Sequence, residues 1–308
     1  MNSVIVTGAN GMLGKQLCNV FRAQGSKVIE LTRDKVDLRN SIDTYKFLSD
    51  NKTDLIVHCA ALVGGIQANI KGGSTYFLEN VLIDNSLLYA ARALKFNDLI
   101  YIGSSCMYPA NKDYPLKENE ILSGSLEPTN ESFALAKIFG ANLVKSIGIE
   151  DKLNWRVFIA SNLYGPNDHF NSEKSHLLAA IISKVVEAKE NDIHLIEMWG
   201  DGTPKREFTH TRDFVDWIVY SSNFLERLPY FLNTGIGIDY SVLDYYNKVL
   251  NALNFEAVIK PNEKLPNGNS RKLLDSSVAQ SFGWDPTIGI DEGIDETVQW
   301  YLNNKAVI

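Results

Sequence analysis

The segment Thr7-Gly8-Ala9-Asn10-Gly11-Met12-Leu13-Gly14 constrains the fold of this chain most, because its three glycines join an apolar run, Val4-Ile5-Val6, to a helical pattern from Leu13 to Ala23. Each glycine has its own physical use. Gly8 permits a tight turn after the strand, Gly11 lets the backbone approach a pyrophosphate, and Gly14 lets the helix pack closely on the sheet. The free N–H groups of the first helical turn then face the phosphates. The arrangement predicts a dinucleotide lying against Gly8, Asn10, Gly11, Met12 and Leu13. The bland alternative is a turn with no ligand.

The rest of the chain keeps alternating short β-branched runs with helical segments, the pattern of a parallel sheet covered on both faces. Strands are expected at Lys27 to Leu31, Leu55 to His58, Leu99 to Ile102 and Trp155 to Ile159, and helices at Tyr76 to Leu94, Glu131 to Ser146 and Leu177 to Ala188. The fold class is therefore α/β, a Rossmann-type doubly wound parallel sheet with a smaller C-terminal α/β substrate lobe. The first domain takes residues 1–165 and about 211–236; the lobe takes 166–210 and 237–308. At 308 residues and 45% hydrophobic content, the chain can bury such a core. A net charge of −7 argues against a nucleic-acid partner. Cys18, Cys59 and Cys106 have no metal-ligand spacing and form no even set. No metal is expected, and a reducing compartment suits them. With no signal-peptide charge pattern and no evident run of about 18 apolar residues, a soluble cytoplasmic protein with no membrane partner is expected.

Leu31-Thr32-Arg33 ends the second expected strand, where an acidic residue often holds the ribose diol. An Arg there can pair with a 2′-phosphate, which favours NADP over NAD; a solvated surface Arg is the alternative. Asp37-Leu38 could flank the adenine. Gly103-Ser104-Ser105-Cys106-Met107-Tyr108 follows a strand at the carboxyl edge of the sheet, where Ser104 could hydrogen-bond a substrate carbonyl. Phe133 and Lys137 stand four residues apart and so share one helix face.

The glycine spacing resembles the short-chain dehydrogenase fingerprint, and longer segments resemble the GDP-L-fucose synthase family. These are Ala60-Ala61-Leu62-Val63-Gly64-Gly65-Ile66, Gly103 to Pro109, Leu126-Glu127-Pro128-Thr129-Asn130-Glu131, Asn162-Leu163-Tyr164-Gly165-Pro166, Trp199 to Phe208 and Arg271-Lys272-Leu273-Leu274-Asp275. The resemblance covers essentially the whole chain. It implies epimerisation of a GDP-4-keto-6-deoxy sugar at C3 and C5 and reduction at C4 with NADPH. By position it implies Cys106 and His176 as the epimerisation pair and Ser104 and Lys137 as the reduction groups. It puts Ala60 and Ala61 beside the cofactor, and Ser105, Asn162, Trp199, Arg206 and Lys272 beside the substrate. It also implies a homodimer formed through the helices that include the Lys137 segment.

Three positions depart from that family. Phe133 stands where short-chain dehydrogenases place the Tyr acid, an element worth about 10²–10⁴ in rate. Lys184 stands in place of an Arg, so a two-point contact becomes a one-point contact. Asn10 replaces an Arg often directed at the 2′-phosphate. Three readings follow: a C4 reductase whose proton comes from Tyr108, Cys106, His176 or water relayed through Lys137; an enzyme that only epimerises; or a silent binding subunit acting as a sensor. The altered Phe133 and Lys184 also admit a GDP-6-deoxy-4-keto-heptose of bacterial capsule or surface-polysaccharide synthesis as substrate. The expected partner is a GDP-linked keto sugar.

Overall fold

The computed structural model describes residues 1–110, 112, 114–170, 175–265 and 267–306. From the N-terminus the elements run β1 (Ser3–Thr7), α1 (Met12–Ala23), β2 (Lys27–Leu31), α2 (Ser41–Asp50), β3 (Leu55–His58), α3 (Ile66–Ala93), β4 (Asp98–Ser104), α4 (Glu131–Glu150) and β5 (Asn154–Ala160). Next come β6 (Asn162–Tyr164), α5 (Leu177–Glu190), β7 (Leu195–Trp199), β8 (Lys205–His210), α6 (Thr211–Ser221) and β9 (Phe231–Thr234). The last are β10 (Asp239–Ser241), α7 (Val242–Ala252), β11 (Val258–Asn262), β12 (Arg271–Lys272), α8 (Ser277–Ser281) and α9 (Ile290–Asn304).

Six strands form one parallel sheet in the order β2-β1-β3-β4-β5-β9. The chain steps from β1 outward to β2, then crosses back to β3 on the other side of β1. That reversal leaves a crevice beyond the carboxyl ends of β1 and β3, where open α/β sheets bind ligands. Burial on both faces explains why β1 reads as a continuous apolar run. Val4 and Val6 pack with Leu17, Phe21, Phe214 and Ile218 of α1 and α6, while Ile5 packs with Leu48, Leu87 and Leu88 of α2 and α3. Asn40 caps α2, its Oδ1 accepting from Ile42 N at 3.0 Å and Asp43 N at 3.3 Å.

In the smaller lobe, β8 pairs with β6, β10 and β12, and β7 pairs with β11. Its core gathers Tyr164, Phe208, Tyr245, Ile182, Ile294 and Val298 from β6, β8, α7, α5 and α9. Buried Glu207 of β8 accepts from Gly237 N at 2.6 Å and Leu274 N at 3.0 Å, tying two later segments to this strand.

Three details differ from expectation. Helix α3 begins at Ile66 and not near Tyr76, and it passes through Gly72, whose backbone (φ −124°, ψ 26°) leaves the helical region. The neighbouring Gly73 brings α3 against α4, since a Cβ there would lie 3.0 Å from Ser132 Oγ. Strand β6 pairs with β8 of the smaller sheet, although its residues fall within the expected first segment. Helix α4 is long and apolar enough by composition to cross a membrane, contrary to the expected lack of such a run. Its apolar content has a different cause here, because α4 packs against α3 and β4 and buries Ala134, Ile138, Ala141 and Val144 in the main core.

Candidate active site

A cleft of about 510 Å³ runs along the crevice at β1 and β3 and reaches the smaller lobe. At one end lies the glycine turn. Gly8 has φ +64°, and a Cβ there would come within 2.9 Å of Ala60 Cα. At Gly14 a Cβ would lie 2.3 Å from Gly8 O. Gly11 N donates to Gly8 O at 2.9 Å and closes the turn. Gly11 is also the cap residue just before α1, and no described side chain caps that helix, so the N–H groups of its first turn remain available to an anion. With Asn10, Met12, Leu13, Ala60 and Ala61 also lining the cleft, the residues present fit a dinucleotide whose pyrophosphate sits on α1.

Beyond β2 the cleft is lined by Arg33, Asp37, Leu38 and two residues the sequence reading did not single out, Arg39 and Glu79. Arg33 is exposed, with its Nε 3.9 Å from Asp37 Oδ2. Arg39 forks onto Asp37, donating from Nε at 2.8 Å and 3.0 Å, and its Nη1 reaches Glu79 at 2.6 Å. The Arg39 guanidinium holds the Asp37 carboxyl down at about 2, a fixed anion at any ordinary pH. Arg39 lies close to Asp37 in sequence, but Glu79 comes from α3 and gives no local signal.

At the opposite end Ser104, Phe133, Lys137, Asn162 and His176 line the cleft together with Asp168 and His169. Ser104 Oγ accepts from Cys106 N at 3.3 Å and caps a short 3₁₀ turn over Ser105–Met107. Buried Lys137 projects from α4 over the face of Tyr101, with Nζ 4.0 Å from the ring centroid. Asn162 Nδ2 donates to Glu207 O at 2.8 Å. His176 precedes α5, and burial pushes its imidazole down from its ordinary value, with nearby His169 adding in the same direction. Asp168 is buried, and its Oδ1 accepts only the N–H of His169, at 2.7 Å, among the described residues. Burial pushes its carboxyl up to about 7.

The described lining does not include Ser105, Cys106, Tyr108, Lys184, Trp199, Arg206 or Lys272. The Tyr108 hydroxyl donates to Asn233 Oδ1 at 2.6 Å and is buried in the core. Cys106 neighbours Ser104, its thiol pushed up by burial, while Lys272, Ser104 and Lys137 pull the other way. Burial pushes the Lys272 and Arg206 cations down, with Cys106 and Glu127 opposing this at Lys272 and Glu127 opposing it at Arg206. Arg206 Nη1 donates to Lys205 O at 2.8 Å. Lys184 donates to Glu197 O of β7, and Trp199 is exposed at the end of that strand.

The profile of the NAD dependent epimerase/dehydratase family matches residues 4–229, a span that holds the glycine turn, Ser104, Lys137 and His176. The chain belongs to that family. Within the epimerase/dehydratase family it is 36% identical over 303 residues to GDP-L-colitose synthase of Yersinia pseudotuberculosis, covering 98% of each chain. It is 35% identical over 304 residues to GDP-L-fucose synthase of Azorhizobium caulinodans, covering 99% of this chain and 97% of that one. A GDP-6-OMe-4-keto-L-xylo-heptose reductase from C. jejuni superposes with a TM-score of 0.90 at 27% identity, covering 98% of each chain. A GDP-mannoheptose C4 reductase from Campylobacter jejuni with NADP bound gives 0.88 at 29%, again covering 98% of each. Against this background, the epimerase/dehydratase fold of the chain carries a carbon side chain, Phe133, in the part of the cleft that holds Ser104 and Lys137.

Proposed function

We propose that this chain is an NADPH-dependent C4-keto reductase of a GDP-linked 4-keto-6-deoxy sugar, hexose or heptose, of the kind built into bacterial surface polysaccharides. The observation that carries the reading is one continuous cleft in which the glycine turn lies at one end and Ser104 with Lys137 at the other. Relatives named as GDP-sugar synthases and neighbours named as GDP-heptose C4 reductases support the oxidoreductase class, the GDP-linked substrate and the cofactor.

NADPH, when bound, would supply a hydride to C4 of the sugar, whose keto oxygen must take a proton. Ser104 Oγ would donate to that oxygen and fix the ketone, and the Lys137 ammonium would hold the nicotinamide ribose. Phe133 can give no proton. Tyr108 is committed to Asn233, the Cys106 thiol lies outside the cleft lining, and His176 is mostly neutral because burial disfavours its cation. Asp168 faces the cleft and is protonated in appreciable fraction at neutral pH. We assign it the proton delivered to O4, after which solvent reprotonates it. Exposed Leu78, Leu82 and Tyr89 of α3 with Leu135 and Phe139 of α4 support a homodimer across these helices.

The deciding experiment mixes the purified protein with NADPH and GDP-4-keto-6-deoxy hexose or heptose in deuterated water, and reads nicotinamide absorbance and product NMR. Consumption of NADPH with a new C4 alcohol is expected. Deuterium at C3 or C5 would add epimerisation through Cys106 and His176. Tight NADPH binding without oxidation by any keto sugar would replace the enzyme with a sensor, and turnover of the hexose alone would remove the heptose.

A further inference from the structure

Behind the Tyr101 ring that faces Lys137 lies a column of buried polar groups that the proposed chemistry does not use. The Tyr101 hydroxyl donates to Asp84 Oδ2 at 2.6 Å. The other carboxylate oxygen lies 3.0 Å from His58 Nε2, and His58 Nδ1 lies 2.7 Å from Thr7 Oγ1. Thr7 Oγ1 in turn accepts the N–H groups of Cys59 and Ala60 at 3.1 Å and 3.0 Å. Thr7, His58, Asp84 and Tyr101 are each at most 1% exposed.

The donors and acceptors close without a spare proton. A carboxylate only accepts, so His58 donates from Nε2 to Asp84, and its Nδ1 accepts the Thr7 hydroxyl proton. Burial pushes the His58 imidazole down, which keeps it neutral. The column therefore carries one formal charge, the Asp84 anion. Gly140 on α4 makes room for it: a Cβ there would lie 2.4 Å from both Asp84 Oδ2 and Tyr101 Oη. Gly140 and Lys137 stand three residues apart on one face of α4, so this face carries both the cation and the gap its partner needs.

We infer that Asp84 is a positioning residue for Lys137, acting through the Tyr101 ring, and that the Thr7–His58–Asp84–Tyr101 column is the seat that holds the Lys137 ammonium in the cleft. The groups that face Lys137 from the packed elements are Asp84 of α3, Tyr101 of β4, His58 and Cys59 at the end of β3, and Cys106 after β4. Both thiols are pushed up by burial and stay neutral, the Tyr101 phenol is likewise pushed far up, and His58 is neutral. Asp84 is left as the anion that opposes the burial cost of the Lys137 charge. With Phe133 in place of an ionisable phenol, this seat maintains a cation for the cofactor ribose and the developing alkoxide. It has no neighbouring phenol at position 133 to activate.

The inference rests on Lys137 facing the cofactor, as proposed above. Its test reads NADPH binding by nicotinamide fluorescence between about pH 6 and about pH 9, a range below an ordinary lysine, in which Asp168 titrates in wild type and variants alike. Asp84→Asn keeps the shape and removes the charge. Its affinity should match the wild type within about twofold at the acid end and fall about tenfold below it at the alkaline end, as Lys137 loses its proton early. Tyr101→Phe, which keeps the ring and cuts the link to Asp84, should fall between the two and carries the test if Asp84→Asn does not fold. In a Lys137→Arg background, where the charge cannot titrate, the alkaline loss should vanish. Curves for Asp84→Asn or Tyr101→Phe that run parallel to the wild type would overturn the inference alone, as would an equal loss in the Arg background. No NADPH uptake by the wild type would overturn the cofactor reading and this inference with it.

Discussion

At the glycine end of the cleft the chain presents mostly backbone, and at the proposed sugar end it presents side chains drawn from distant elements. The first depends on the space left at Gly8, Gly11 and Gly14 and on the open N–H groups of α1. The second depends on Ser104 after β4, Lys137 on α4, Asn162 on β6, Asp168 in the following loop and His176 before α5. A further cationic group, Arg206 with Lys272, stands outside the lining. Backbone recognition tolerates little change in the few residues that make it. Side-chain recognition can be retuned one position at a time, which is how a carbon ring at position 133 can coexist with an intact cofactor end.

The contrast breaks most directly at Gly14. A Cβ there already meets Gly8 O at 2.3 Å, so Gly14→Val should lower NADPH affinity by about 100-fold or more, measured by calorimetry. Affinity within about threefold of wild type would remove the claim that backbone space governs this end. At the sugar end, Asp168→Asn should lower kcat by about 100-fold and leave NADPH affinity unchanged. The acid form of Asp168 exists below about 7 and is titrated away above it. Wild-type kcat should therefore fall as pH rises through that value, while the residual rate of the Asn variant stays flat.

Arg206→Met should raise the KM for the GDP-sugar by about 30-fold with NADPH affinity intact, the worth of a charged hydrogen bond or two. An unchanged KM would separate this cation from the sugar end altogether. Arg33→Ala should weaken NADPH by about tenfold and leave NADH unchanged, a modest loss because the guanidinium is exposed and screened by salt. Phe133→Tyr should shift activity least, leaving it level or raising it about threefold in steady-state assays. A collapse in that variant would mean that the Phe133 ring itself shapes the pocket.

How far each end could be read from the sequence follows from the same contrast. Gly8, Gly11 and Gly14 were legible because their spacing is local, and the strands Lys27–Leu31 and Leu55–His58 appear where β-branched and apolar runs predicted them. Arg39 with Glu79, and Asp84 with Tyr101 and His58, were not legible, since each group is assembled across elements and its charge state depends on the contact. Asp168 looks like an ordinary loop carboxylate. Only its burial in the folded chain sets it apart. Cys106, Lys272 and Arg206 were reached through resemblance alone, and the proximity of Lys272 to Cys106 and Arg206 required the fold.

Gly293 of α9 rests directly on Tyr164, whose hydroxyl would lie 2.0 Å from a Cβ at that position. Tyr164 belongs to the strand that carries Asn162 and leads into the Asp168 loop. During synthesis, all six strands of the large sheet emerge long before α9 does. A nascent chain could thus acquire its nucleotide grip early and still lack the backing for its sugar pocket. A message truncated ahead of Gly289 would then yield a chain that keeps the glycine turn and all six strands of the large sheet but lacks the helix that backs Tyr164.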